Sequence, residues 1–136
     1  MRKILFRCKL KDSGEWIYWD MVGRITTRFG KVSNHTIKRK AGESYYYFAY
    51  QLWNIMDRAT VGQYTGKKDK NKNPIFEGDV VVSDGCAYVC RWCDVNMEFT
   101  LENADEMVGM SYLYPAIEVI GNIYENPELL GGADNA

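Results

Sequence analysis

The sequence holds a single histidine, His35, in 136 residues. Nucleophilic catalysis by Ser or Cys needs an imidazole held by a third group, and one His inside a basic stretch does not make such a set. No stretch approaches the ~18 apolar residues that a membrane span requires, so no membrane partner is expected. The opening Met1-Arg2-Lys3-Ile4-Leu5-Phe6-Arg7 has charge but no long apolar run behind it, and no signal peptide is expected. A cytoplasmic location follows as the expectation, with the four cysteines as reduced thiols. Internal repeats and a linker of interdomain length are both lacking. So is a phosphate loop: Gly62 and Gly66-Lys67-Lys68 fall one residue short of the required spacing, and no Ser or Thr follows the lysine to hold magnesium. Acidic residues are absent from Arg24 to Gly42, and residues 74–136 contain one basic residue, Arg91.

What is present suits one globular domain. Hydrophobic residues make up 46% of the chain and charged residues 26%, and the length suffices for a core without metal or disulfide. Residues 1–130 are expected to form that domain, and residues 131–136 a disordered tail. Ten Tyr and four Trp favour pleated, half-buried surfaces. The net charge of −1 hides a division: residues 1–73 carry 16 Lys and Arg against 6 Asp and Glu, while residues 74–136 carry 1 against 12. Two readings fit. The halves interleave and pair their charges across strands, or the first half presents a basic binding face.

Along the chain, Lys3 to Cys8 and Glu15 to Val22 read as a hairpin about the turn Lys11-Asp12-Ser13-Gly14. Ile25 to Val32 reads as a weak strand or hairpin followed by a loop. Glu43 to Trp53, dominated by Tyr45-Tyr46-Tyr47-Phe48-Ala49-Tyr50, reads as strand by content, with a helical turn open to the residues after Gln51. Ala59 to Thr65 is a strand, and Gly66 to Pro74 a polar, solvated loop. Ile75 to Val82 leads into a strand that turns tightly at Ser83-Asp84-Gly85 into a partner from Cys86 to Cys93. Glu98 to Leu101 and Ile117 to Tyr124 are further strands, and Asn126-Pro127-Glu128 opens a helical turn. Many short strands with regular turn signals predict a small sandwich or barrel.

Three segments carry a resemblance. They are Arg2-Lys3-Ile4-Leu5-Phe6-Arg7, the run from Gln63-Tyr64-Thr65-Gly66-Lys67 through Ile75-Phe76-Glu77-Gly78-Asp79-Val80-Val81, and Val119-Ile120-Gly121-Asn122-Ile123-Tyr124-Glu125-Asn126-Pro127-Glu128-Leu129-Leu130. In this order the pattern resembles the YopX family of phage and prophage proteins. The resemblance implies a mostly β single-domain pseudo-barrel with short helical turns, encoded by a phage or prophage and acting in a bacterial host cell. It brings no catalytic residue and no established function. The sequence departs from the family where an Asn-Gly pair is common in the turn, since Asn71-Lys72 stands there. The motif residues have structural readings: Gly66 and Gly78 give backbone freedom, Thr65 and Asp79 accept turn hydrogen bonds, and Gly121 marks a bulge or close contact.

Cys86, Cys90 and Cys93 have the C-x₃-C-x₂-C spacing of a radical-SAM cluster. Strand alternation turns Cys93 away from the other two, and the chain is too short for the barrel such chemistry uses. Zinc with Cys8 or His35 lacks the second short ligand pair of a knuckle. Neither a metal nor a cofactor is therefore expected. Glu77 and Asp79 stand two apart, as on one strand face, and paired carboxylates can do acid–base work, but nothing marks a pocket that separates their pKa values. The expectation is a protein that is not an enzyme: a binding module acting through an unidentified protein partner or by self-association. The alternative is nucleic-acid binding through Arg24, Arg28, Lys31, Lys38, Arg39 and Lys40 together with Lys67, Lys68 and Lys70, the cations tracking a backbone and neighbouring Tyr stacking on bases.

Overall fold

The computed structural model describes residues 3–33, 35, 37–114 and 116–130, with Tyr45 described by its backbone alone. The expected tail, 131–136, lies outside the described residues. The chain divides into two compact units, Met1–Gln63 and Tyr64–Ala136.

In the first unit, β1 (Leu5–Leu10) and β2 (Trp16–Asp20) pair antiparallel from Leu5↔Asp20 to Lys9↔Trp16. Their turn closes with the Gly14 N–H on the Leu10 carbonyl, at a Gly14 φ of +71°. A two-residue β3 (Ile25–Thr26) continues the sheet and bridges from Thr26 to Val32, the short hairpin expected there. The long β4 (Met56–Lys68) lies on the other side of β1. Its register slips between Arg7 and Lys9, where the Thr60 hydroxyl accepts from the Lys9 N–H at 2.8 Å and so supplies the partner that the broken ladder withholds.

Glu43 to Trp53 is not a strand. Helix α1 runs Tyr45–Ile55, with Ser44 as its N-cap accepting from the Tyr47 N–H. Tyr has a strand preference, but a capping Ser and a core contact at every fourth residue outweigh it. Phe48 is buried, and Leu52 packs beside Cys8, Leu10, Ile17 and Met56, the core of this unit. Trp19 and Ile37 close over the same cluster.

In the second unit, residues 64–68 of β4 pair with the short β5 (Pro74–Phe76). Then β6 (Asp79–Ser83), β7 (Cys86–Cys93), β8 (Glu98–Glu102) and β9 (Met107–Gly109) form an antiparallel meander. Ser83 pairs directly with Cys86, and Asp84 and Gly85 both have positive φ, 50° and 79°, as a primed two-residue hairpin turn requires. The one-turn helix α2 (Met110–Leu113) follows, and β10 (Glu118–Asn122) returns to pair with the free edge of β6. The core of this unit contains Ile75, Val81, Tyr88, Cys90, Leu101, Met110 and Ile117.

The chain is thus mostly β, in two five-stranded antiparallel sheets ordered β3-β2-β1-β4-β5 and β10-β6-β7-β8-β9. Both sheets stay open instead of closing into a barrel. The first ends in strands of two and three residues, the latter opening with Pro74, and such stubs give a further strand little to pair with. No helix among the described residues is long and apolar enough to cross a membrane.

The segment after Gly66 departs from the expected solvated loop. Lys68, Lys70, Asn71 and Lys72 are exposed, but Asp69 is buried at 5% exposure. Its Oδ1 accepts from the N–H groups of Asn71 (2.9 Å) and Asn73 (2.8 Å), and its Oδ2 from the Val119 N–H (2.8 Å). Lys70 N–H also donates to the Ile117 carbonyl. One carboxylate therefore shapes the loop and fastens it to the start of β10.

Candidate functional site

The basic residues of 24–40 lie on the rim of β3 and in the loop beyond it. Arg24, Arg28, Lys31, Lys38, Arg39 and Lys40 are all exposed. Arg24 is charge-compensated: its Nε lies 2.8 Å from Asp20 Oδ2, and its N–H donates to Asp20 Oδ1. Burial pushes the Asp20 carboxyl up, but the Arg24 N–H, the Arg24 guanidinium and the Val22 N–H outweigh it and hold the group below the usual carboxylate range. The Arg28 guanidinium lies 4.8 Å from the centre of the Phe29 ring. Arg39 donates to the Glu43 carbonyl, whose own carboxylate accepts from the Lys40 N–H. Lys38 has no ion pair among the described residues. His35 is half-buried: Nε2 meets Glu15 Oε2 at 2.8 Å, and Nδ1 accepts from the Ile37 N–H. Arg24, Lys38 and Arg39 converge on a pocket of about 220 Å³ with Val22, Val32 and Ser33. Sequence reading found these cations but not their convergence, because β3 and its bridge fold residues 24 and 38–39 towards each other.

Helix α1 turns a different chemistry outward. Tyr46, Tyr50 and Trp53 stand at i, i+4 and i+7, on one helix face, and are 89%, 66% and 52% exposed. Tyr47 and Ile55 flank them in the open. The Arg58 guanidinium stacks 4.6 Å from the Trp53 ring centre. A large aromatic stripe left in solvent is uncommon on a monomer surface. The aromatic run concealed it in the sequence: with aromatic residues at most positions of the first two turns, only the Phe48–Leu52 spacing and the Ser44 cap mark which face is buried.

In the second unit, Lys67, Lys68 and Lys70 do not form a uniform cationic loop. Lys70 approaches Glu118 at 3.5 Å, and the Lys67 ammonium lies 5.1 Å from the centre of the Tyr114 ring. Lys68 is exposed. Lys67 lines a pocket of about 280 Å³ with Thr65, Glu98, Phe99, Met110, Ser111 and Tyr114.

The remaining motif residues hold turns and close backbone contacts. Asp79 Oδ2 accepts from the Phe76 N–H at 2.8 Å, which makes Asp79 a buried turn anchor. The Thr65 hydroxyl accepts from the Lys67 N–H. Gly78 has a φ of +90°, and a Cβ there would sit 2.7 Å from Cε2 of Tyr124, so the ring of Tyr124 lies on bare backbone. Gly121 is both a bulge and a close contact: the β10–β6 register slips beside it, and a Cβ would meet Asn126 Oδ1 at 2.5 Å and Leu129 Cδ1 at 2.8 Å. Asn122 Oδ1 caps the turn by accepting from the N–H groups of Tyr124 and Glu125.

Cys86, Cys90 and Cys93 all lie on β7, exposed, buried and half-buried in turn. No three His, Cys, Asp or Glu among the described residues gather as a metal site would need. Tyr88 donates to Glu106 at 2.8 Å; that hydrogen bond, with burial and the nearby charges, raises its hydroxyl from 10.0 to about 12. Burial, with Asp57 adding to it, pushes the Cys8 thiol from 9.0 to about 12.

Two open antiparallel sheets, turns fixed by buried Asp69, Asp79 and Asn122, and a short helix carrying exposed aromatics define a mostly β protein. The family model described as YopX protein matches residues 5–131, and the chain belongs to the YopX family. No curated protein matches the sequence.

Proposed function

We propose that this chain is a phage- or prophage-encoded binding module without catalytic activity, working in the bacterial cytoplasm by self-association through the exposed face of α1. The observation that carries this reading is the stripe of Tyr46, Tyr50 and Trp53 with Arg58 on its flank. Tyr, Trp and Arg are the residue types that dominate binding energy at protein interfaces. Charge supports a second copy as the occupant. Residues 1–63 carry 12 Lys and Arg against 5 Asp and Glu, and residues 64–136 carry 5 against 13. Each copy thus brings a cationic and an anionic unit, and like molecules complement each other without a foreign partner. Sedimentation velocity of wild type and of Tyr46→Ser/Tyr50→Ser/Trp53→Ser tests the reading. Wild type is expected to associate below ~100 μM, more weakly at high salt, and the triple variant to stay monomeric while folded. A wild type that is monomeric throughout overturns it.

A second reading, nucleic-acid binding, is supported by the convergence of Arg24, Lys38 and Arg39 on one pocket. Its test is fluorescence anisotropy with single-stranded and duplex oligonucleotides at ~50 and ~200 mM salt, between which phosphate-driven binding falls steeply. Binding that disappears on Lys38→Glu/Arg39→Glu/Lys40→Glu supports this reading, and no binding at low salt removes it.

A further inference from the structure

We propose that the pocket lined by Thr65, Lys67, Glu98, Phe99, Met110 and Tyr114 binds a small zwitterion, an amino acid with an apolar side chain or a close derivative, at a site separate from α1. Its volume of about 280 Å³ is just below the range that holds drug-sized ligands, so the occupant is smaller than these. Part of the lining is apolar. Met110 is buried at 6% exposure, and Phe99 is held edge-on by Trp92 at 5.0 Å between ring centres.

Its polar groups are of both signs and are not joined. Lys67 reaches over Tyr114, and Glu98 stands on a lining strand, yet among the described residues neither forms an ion pair with the other or with a third group. A cation and an anion in one lining with Phe99, Met110 and Tyr114 match a ligand with its own carboxylate and ammonium on an apolar body, each charge meeting its complement.

Both charged groups are positioned by local structure. Gly66 has a φ of +89°, and the Thr65 hydroxyl on the Lys67 N–H at 3.2 Å fixes the bend that brings Lys67 to Tyr114. The Glu98 carboxylate rests against Gly109 in the space that a Cβ would occupy, so a side chain at 109 displaces it. Thr65, Gly66 and Lys67 belong to the motif that runs from Gln63, and three of its residues thereby gain a role that turn chemistry alone does not give them.

The test uses the full chain, with L-leucine and L-phenylalanine as probes against their methyl esters and N-acetyl derivatives, read by isothermal titration and by Trp fluorescence. Free amino acids are expected to bind, and either blocked form to bind at least ~10-fold more weakly. Lys67→Gln is expected to abolish the preference for free acid over ester while keeping that for free amine. Glu98→Gln is expected to do the converse, and Gly109→Ala to resemble Glu98→Gln. The wild-type comparison of blocked with free probes decides the matter even if a variant misfolds. No binding at ~10 mM, or equal binding of free and blocked forms, overturns the proposal.

Discussion

Asp69→Asn isolates one oxygen of a buried carboxylate. The Oδ1 position stays an acceptor for the Asn71 and Asn73 N–H groups, while the amide nitrogen replaces Oδ2 and faces the Val119 N–H, donor against donor. A buried donor left without its acceptor costs about 1–3 kcal/mol, and the lost bond was to a charged group, so we expect a destabilisation of about 2 kcal/mol. Asp69→Ala removes both acceptor oxygens and with them all three hydrogen bonds. The N–H groups of Asn71 and Asn73 then turn to water, since Asn71 is exposed and Asn73 half-buried, and the total is about 3 kcal/mol. At roughly 4 °C per kcal/mol for a domain of this size, thermal unfolding falls by about 8 °C for Asn and about 12 °C for Ala. Lys72→Gly is the internal control. Lys72 holds a φ of +67°, where the family turn commonly has Gly, and relieving it is expected to stabilise the same loop by about 0.5 kcal/mol. Circular dichroism melts give the magnitudes, and amide exchange gives the place: Val119 loses protection first in Asp69→Asn. Unchanged Val119 protection, or a loss below ~0.5 kcal/mol in both Asp69 variants, refutes the view that this carboxylate organises the loop.

Gly78→Ala combines a φ of +90° with a Cβ driven into the Tyr124 ring, so denaturant unfolding should show a loss of about 2–3 kcal/mol, partly recovered in Gly78→Ala/Tyr124→Ala. Thiol labelling at pH 8 should reach Cys86 at once, Cys93 more slowly, and Cys8 and Cys90 only on unfolding, as their burial orders them; mass spectrometry of time points checks it. Stability should also fall between about pH 9 and 12. The thiol of Cys8 and the hydroxyl of Tyr88 ionise from 9.0 and 10.0 in the unfolded chain but near 12 when folded, so the folded state keeps protons that the unfolded one has lost. Denaturant midpoints at pH 8 and ~10.5 should therefore converge in Cys8→Ala/Tyr88→Phe.

Elements whose shape is set locally were legible. The strand Cys86–Cys93 and the turn at Asp84-Gly85 could be read because Gly and Asp in a two-residue connection state the turn type. So could the roles of Thr65 and Asp79, whose short oxygens have few uses beside a strand end. Helix α1 was hidden because five aromatics in six residues carried no visible period; its face is set by Leu52 meeting a core drawn from β1, β2 and β4, with Phe48 buried one turn before it. Asp69 reads as one more residue of a polar, solvated loop, since nothing local announces that Val119 will supply its third donor. The basic residues of the candidate site were legible as charges. The Lys67–Glu98 pocket was not, because it is assembled by α2 and the β8 pairing from segments far apart in the chain.

The return of β10 to β6 has a consequence for how the chain fails. Within its meander the second unit joins neighbours in sequence, whereas β10 must close on a strand formed much earlier in the chain. Until it does, Val80-Val81-Val82 lies on an unpaired rim, a β-branched run with open backbone donors and acceptors. The Gly121–Asn126 motif that fits β10 in place is then a guard against fibril-like stacking as well as a closing turn. A chain cut short before Glu118 should accumulate as insoluble aggregate rather than as a smaller soluble fold.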